Sequence, residues 1–482
     1  MFSKLKRFLS VSLCLIFYIF LFAGNFGGNS VCSAAESSTI KKYVPIDISN
    51  KFNSNAIWGN GDDWEEQFKS QDSIDAGEEN KLRELGVDGT RAFYTKCNHN
   101  ENNVPDDGGM PDDGRLTIGG VPFNFNASSG KDCIKFCPKL DFLSKSVDLG
   151  NVKVKNLYVM GTAGAILTGS SVNADIKFYD NSDNEIAKYR QTLDVYDWYN
   201  EQIISQKGTK ESSIYDYKHY VVRRLDGTYL HGDNTYVQCW RLNKFSESGF
   251  GEFDDTEITR INITFDDKVN GACLTIFAIT AEVEYDNNIT LSDVKHDSFK
   301  IECGTEGSKQ VNISTTKGLN SESMTTAVFP YTPEAYEGTT YHCTIYDDDK
   351  KAYYYFDVTT KKSLKLVVQT PSGLVYNGAA QQLVTGCLTL DAHGAARPAD
   401  ENDLLKSNIY LRIENATGTP AHKTGWYNLN SLANLTATNA GTYNIYYELD
   451  KGALSDYDLI STTVVSGTSE SNNSIIIDEN GD

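Results

Sequence analysis

Histidine and methionine are scarce in this 482-residue chain, at seven and four, and proline is held to ten. The histidines (99, 219, 231, 296, 342, 393, 422) are scattered. No H-E-x-x-H places two of them on a helix for zinc, and no G-x-S-x-G elbow presents a nucleophilic serine. Positive charge is the next deficit: 44 Lys and Arg stand against 65 Asp and Glu, a net charge of −21. Such a surface repels nucleic acid and anionic lipid. It leaves neutral glycans, cationic partners or Ca2+ as compatible ligands, and it keeps an exported chain soluble. Helix signals are few, the clearest being residues 76–85, "AGEENKLREL". Against these shortages stand 28 Tyr and 38 Gly, a composition suited to sheets joined by turns.

One apolar run occurs, at residues 8–24. Lys4, Lys6 and Arg7 precede it and Ser33-Ala34-Ala35 follow it. The run is short for a bilayer span and reads as a secretory signal over residues 1–35. Cys32 would invite lipidation, but Val31 stands where a small residue is needed. Export removes three positive charges and leaves −24 on roughly 445 residues, a length for about three domains. Eight of the ten cysteines stay with the exported chain, enough for disulfides of unspecified connectivity. Cys133 and Cys137 lack the further ligands of a zinc site. On one extended strand they would lie about 13 Å apart, so each needs another partner or a turn between them.

Strand patterns recur along the chain. Val152 and Val154 alternate with lysines, Ile176 pairs with Phe178, and Ile261, Ile263 and Phe265 alternate with polar residues. The segment 273–285, "CLTIFAITAEVEY", is apolar on both faces and then half polar, which predicts a strand central at its start and at an edge by its end. Polar turn residues near 284–293 mark a boundary, giving a first unit over 36–285. A second unit over 286–362 carries Cys303 and Cys343 on two predicted strands, with Tyr341 in the position of a tyrosine corner. A Cys303–Cys343 bridge would close a loop of about 40 residues, worth about 4 kcal/mol on the chain-entropy model. No Trp lies between those cysteines, so the core pin of antibody domains is missing, and the unit reads as an Ig-like or fibronectin-like sandwich. A third unit spans 363–466, and 467–482 reads as a disordered tail without Leu-Pro-x-Thr-Gly.

In the third unit, "LVYNGAAQQLVTG" early and "NAGTYNIYYELD" late resemble the bacterial Ig-like repeat domains of secreted and surface proteins. In the first unit, "YVPIDISNKFN", "RLTIGGVPFNF", "VKNLYVMGTAG", "IKFYDNSDN", "VYDWYN" and "LTIFAIT" occur in that order. Together they resemble the non-catalytic β-sandwich, a jelly roll, that accompanies secreted bacterial glycoside hydrolases. The resemblance implies carbohydrate binding and a structural role for Asp197-Trp198. The chain departs from it over 59–80, where that family has a Phe-Asp-Gly stretch leading to Tyr-Pro-Ala-Glu. Residues 201–255 read as an insertion or long hairpin loops. The fold expected is therefore all-β: a jelly-roll-like sandwich followed by two smaller Ig-like or fibronectin-like sandwiches.

Candidate ligand-binding residues are Trp58, Trp64, Asp62 and Asp63 in "AIWGNGDDWEEQF", where large aromatics in a polar loop would be costly unless used or packed beneath it. Trp426 in "KTGWYNL" stands evenly between core and surface. The doubled Pro-Asp-Asp-Gly at 105–114 offers Asp106, Asp107, Asp112 and Asp113 to a structural Ca2+, although the same order is turn chemistry leading into the strand around Pro122. Pro122 itself predicts an edge strand or a bulge. Asp194 and Asp197 read as turn or cap residues. No catalytic pair is evident, and Asn288 is one of several N-x-[ST] sequons. The functions compatible with this reading are a secreted glycan-binding or surface-adhesion protein, a secreted glycan-degrading enzyme with its site in 43–285, or a purely structural surface component.

Overall fold

A computed structural model of the chain describes residues 39–64, 72–75, 87–98, 109–150, 152–166, 171–198, 213–224, 229–242, 244–246, 249–253, 258–265, 271–315, 324–375, 377–415, 422–439, 441–466, 469–471 and 474–477. The protein is all-β, built from sheets packed face to face. The helix expected over 76–85 and the signal over 1–35 lie outside the described residues. No described helix is long and apolar enough to cross a membrane.

Among the described residues the largest sheet has eleven strands in a row, with a twelfth, Ile134–Phe136, paired off that row. Val154–Gly164 and Cys273–Val283 form its middle, with Tyr229–Leu242, Ser213–Arg224 and Val87–Tyr94 to one side. Alternation puts Leu157, Val159, Ile279 and Ala281 on one face, against Phe178, Ile261 and Ile263 of a four-stranded sheet. Tyr158, Met160 and Phe277 point the other way, onto Leu116 and Phe123 of the Arg115–Ile118/Val121–Asn124 hairpin. Burial on both faces explains the near-continuous apolar run of Cys273–Val283. Ser213–Arg224 and Tyr229–Leu242 pair as a long hairpin within this sheet, so of the two readings of 201–255 the described strands fit the long hairpin.

Lys41–Ile46 continues the sheet across the 285/286 boundary. Its residues 42–46 pair antiparallel with 279–283, and its residues 41–43 pair antiparallel with 353–355 of Ala352–Thr359. Cys273–Val283 therefore has neighbours on both sides to its end and does not reach an edge. Glu282 is buried there, accepting hydrogen bonds from Asn156 Nδ2 at 2.9 Å and Tyr158 Oη at 2.8 Å.

Beyond Ala352–Thr359 the sheet runs through Thr340–Asp347, Gly307–Ser314 and Thr325–Phe329, facing the small sheet Ile289–Ser292/Lys300–Cys303 across a core of Phe299, Ile301, Ile345 and Phe356. The Tyr341 hydroxyl accepts the Tyr336 N–H at 2.7 Å, the bond that defines a tyrosine corner. Cys303 and Cys343 are free thiols, one half-buried and one buried, and the bridge expected between them is not formed. They sit opposite Ile289 and Phe356 in their ladders. Among the described residues a disulfide joins Cys137 to Cys273, with Cα atoms 4.5 Å apart, so Cys137 does find a partner other than Cys133.

The third core lies between Lys362–Thr370, which pairs parallel with Tyr457–Ser466, and Ile409–Asn415, which pairs antiparallel with Gly441–Leu449. Ser469–Ser471 and Ser474–Ile477 add strands to these two sheets, so part of the predicted disordered tail is ordered. The run of three isoleucines at 475–477 supplies the β-propensity.

Candidate functional site

The polar loop that begins at Trp58 closes on one carboxylate. Asp62 accepts N–H bonds from Gly59 at 2.8 Å and Gly130 at 3.0 Å and a longer one from Asn55 Nδ2. Gly59 is required because a Cβ there would lie 2.6 Å from the Ala127 carbonyl oxygen. Gly61 supplies a φ of +86°. This turn folds Trp58 and Trp64 inward, 6 % and 3 % exposed, edge to face with centroids 5.4 Å apart, over Ala92 and Tyr94. Trp58 Nε1 donates to the Asp62 carbonyl oxygen. This geometry gives Trp58, Trp64 and Asp62 packing and loop-holding roles, while Asp63 stays exposed beside them. The rings present no free face to solvent, and Asp62 is occupied in holding the loop, its carboxyl pushed up by burial against the pull of its N–H donors.

Asp106 and Asp107 of the proposed Ca2+ site lie outside the described residues. Asp112 accepts the Cys97 N–H at 2.8 Å, and Asp113 accepts the Arg115 N–H at 3.0 Å. Gly114, at φ +70°, closes the turn onto the Pro111 carbonyl. The second Pro-Asp-Asp-Gly is thus a turn feeding a hairpin whose tip is Gly119-Gly120, and Pro122 lies on a two-stranded sheet where every strand is an edge. No group of three metal-ligating side chains occurs among the described residues.

Sequence reasoning missed a buried charge network beneath the loop. Asp132 accepts N–H bonds from Ala56 and Ile57 at 2.8 and 2.6 Å, and burial pushes its carboxyl up to about 8 against those bonds. Lys135, fully buried, donates to the Ser73 carbonyl at 2.7 Å, and burial pulls its ammonium down. Asp75 accepts from Arg91 Nη1 at 2.8 Å, Trp198 Nε1 at 3.1 Å and the Ala165 N–H at 3.0 Å. Asp197 caps the Ile166 N–H at 2.9 Å, which leaves Asp197-Trp198 a packing element. The available signal was Lys135 itself, a cation in the apolar run "CIKFC". Asp132, Lys135 and Asp75 are buried, Arg91 is partly exposed, and together they pin loop to sheet.

A cleft of about 560 Å3 opens where the shared strand meets both sandwiches. Phe277, Phe125 and Ile48 form its apolar floor, and half-buried Phe52 and the edge of Tyr346 form its walls. Asp47, Ser49, Asn124, Asn126, Lys131 and Lys351 line its rim. Asp47 accepts both the Ser49 hydroxyl at 2.7 Å and the Ser49 N–H at 3.0 Å, which hold its carboxyl below the usual range. Asn126 is fixed by an Asx turn to the Ser128 N–H and by donation to the Lys131 carbonyl. Asn124 Oδ1 accepts the Tyr353 hydroxyl at 2.5 Å. These rim groups come from segments 45–52, 124–131 and 346–351, which the pairing of Lys41–Ile46 with both partners and the Tyr353–Asn124 bond bring together. No protein-family model and no curated protein matches the chain.

Proposed function

We propose that the chain is a secreted, non-catalytic glycan-binding or surface-adhesion protein that takes its ligand in the cleft beside the shared strand. The observation that carries this reading is the cleft's composition. A floor of rings and aliphatic carbons suits the apolar face of a sugar, and short amides, a hydroxyl and two ammonium groups suit its oxygens. The volume lies in the range of small-ligand sites. Among the described residues lining the cleft the one carboxylate is Asp47, stabilised in its ionised form. Hydrolysis of a glycosidic bond uses two carboxyl groups about 5–9 Å apart, one of them protonated. Binding without turnover is therefore the chemistry this set of groups favours.

A purely structural role draws support from the joint between the second and third units. Arg397 Nη2 reaches Glu337 at 3.1 Å, Lys362 Nζ reaches Glu401 at 2.6 Å, and His296 Nδ1 meets Asp458 at 2.7 Å. These contacts hold two sandwiches as a stiff spacer. A glycan array probed with residues 36–482 separates the readings. Phe52→Ala with Lys131→Ala should weaken a positive signal about tenfold, the loss of one or two hydrogen bonds and a ring contact. Silence across the array leaves the structural reading, and release of reducing sugar from polysaccharides establishes the enzyme.

A further inference from the structure

The second sandwich holds a buried amine, amide and carboxylate that the binding reading does not use. Asn288 precedes strand Ile289–Ser292 in the smaller sheet, while Lys309 and Asp347 lie on Gly307–Ser314 and Thr340–Asp347 in the larger one. The three residues are 5 %, 4 % and 0 % exposed. Asp347 bridges the other two. Lys309 Nζ donates to Oδ1 at 3.1 Å, and Asn288 Nδ2 donates to Oδ2 at 3.0 Å. One carboxylate thus holds a primary amine beside a primary amide, with little of the three residues exposed.

We propose that Lys309 and Asn288 join in an intramolecular isopeptide bond, with Asp347 shuttling the proton. Asp347 accepts a proton from the Lys309 ammonium, which frees the Nζ lone pair. Nζ attacks Cγ of Asn288 and forms the new C–N bond. The Cγ–Nδ2 bond breaks as protons pass from Nζ, through Asp347, to the departing nitrogen. Ammonium leaves, Asp347 returns to its carboxylate form, and a secondary amide remains. No oxidant, cofactor or energy source enters the balance.

The surroundings fit the step. Gly304 leaves room for the amide, since a Cβ there would lie 3.0 Å from Asn288 Oδ1. The Gly304 N–H also fixes the Asn288 carbonyl at 2.7 Å. The low exposure of Asn288 and Asp347 limits competing hydrolysis of the amide. The resting pair is ionic: Asp349 Oδ2, 2.9 Å from Lys309 Nζ, and Asp347 together favour the ammonium, so the first proton transfer is uphill. A slow step suffices because each chain reacts once. The bond would tie one sheet of the sandwich covalently to the other.

Tryptic peptides of the reduced full-length protein decide the matter, after purification and again after incubation at mildly alkaline pH. Residues 269–295 and 301–317 should appear as one branched species about 17 Da lighter than the two peptides combined, the mass of ammonia. Lys309→Arg and Asp347→Asn should each restore separate peptides and full intact mass. Separate wild-type peptides with cleavage after Lys309 overturn the proposal and leave Asp347 a hydrogen-bonding hub for the 347–350 turn. A gain of about 1 Da on 269–295 without a branch marks deamidation of an asparagine and overturns it equally.

Discussion

Trp58 and Trp64 show how one carboxylate reverses the meaning of a polar loop. Two indoles among Gly, Asn and Asp read as exposed until Asp62 gathers the N–H groups of Gly59 and Gly130 and turns both rings under the loop. Sequence supplies the turn formers but not the partner 68 residues away that completes the turn. Trp58→Ala should therefore cost about 3–5 kcal/mol in denaturant melts, the usual loss for a large buried aromatic, and should leave glycan affinity per folded molecule unchanged. A selective loss of binding at unaltered stability would return the site to this loop.

Asp286 makes a second prediction at the same scale. Burial pushes its carboxyl up, but donation from Lys42 at 2.8 Å and Lys350 at 3.0 Å outweighs this and holds it at about 2. A carboxyl with a folded value below its unfolded one stabilises the protein above the unfolded value and loses that contribution as pH falls through the folded one. Unfolding free energy should therefore fall between about pH 4 and pH 2, by up to about 2 kcal/mol from this group, and the melting temperature with it. Asp286→Asn should flatten that part of the profile.

Among the elements, alternating segments were the legible ones. Ile261, Ile263 and Phe265 point into the core as their spacing requires, and Arg260–Phe265 shows strict alternation of burial. The helix Ala399–Asn408 escaped notice because its apolar residues, Leu404 and Leu405, form no stripe. Its position follows from Pro398 ahead of it, Asp400 and Glu401 in the first turn and Lys406 in the last, charges that suit the helix dipole. The cleft was illegible for a different reason: its rim residues are ordinary in their own segments, and pairing across more than 200 residues makes them neighbours. Phe125 and Phe277 were legible as core, not as the floor of an opening.

Lys41–Ile46 is the element on which that neighbourhood rests. Its removal would bare the edges of Cys273–Val283 and Ala352–Thr359, and unpaired edges invite strand pairing between molecules. A chain truncated to begin at residue 48 should elute as oligomers in size-exclusion chromatography and be cut by protease near 286. A monomer as resistant as the full protein would show the strand to be dispensable.

For the whole molecule, composition sufficed to establish an all-β protein, because scarce helix signals and repeated alternation point the same way. What composition did not carry was continuity. Three segments with their own cores read as three beads, yet the first two share one sheet through a strand donated from the start of the chain. The Cys137–Cys273 disulfide also spans most of the first unit, tying it across 136 residues. Hydrogen bonds and covalent links of such range are invisible to any local pattern.

The shared strand also dictates an order of events. Ribosomes deliver residues 41–46 first, while the segments that flank them in the sheet, 273–283 and 352–359, arrive more than two hundred residues later. The second sandwich cannot complete its pairing with that strand until translation has passed residue 359. Until then the opening segment lacks its partner on that side, and final assembly of that half of the protein is a late step.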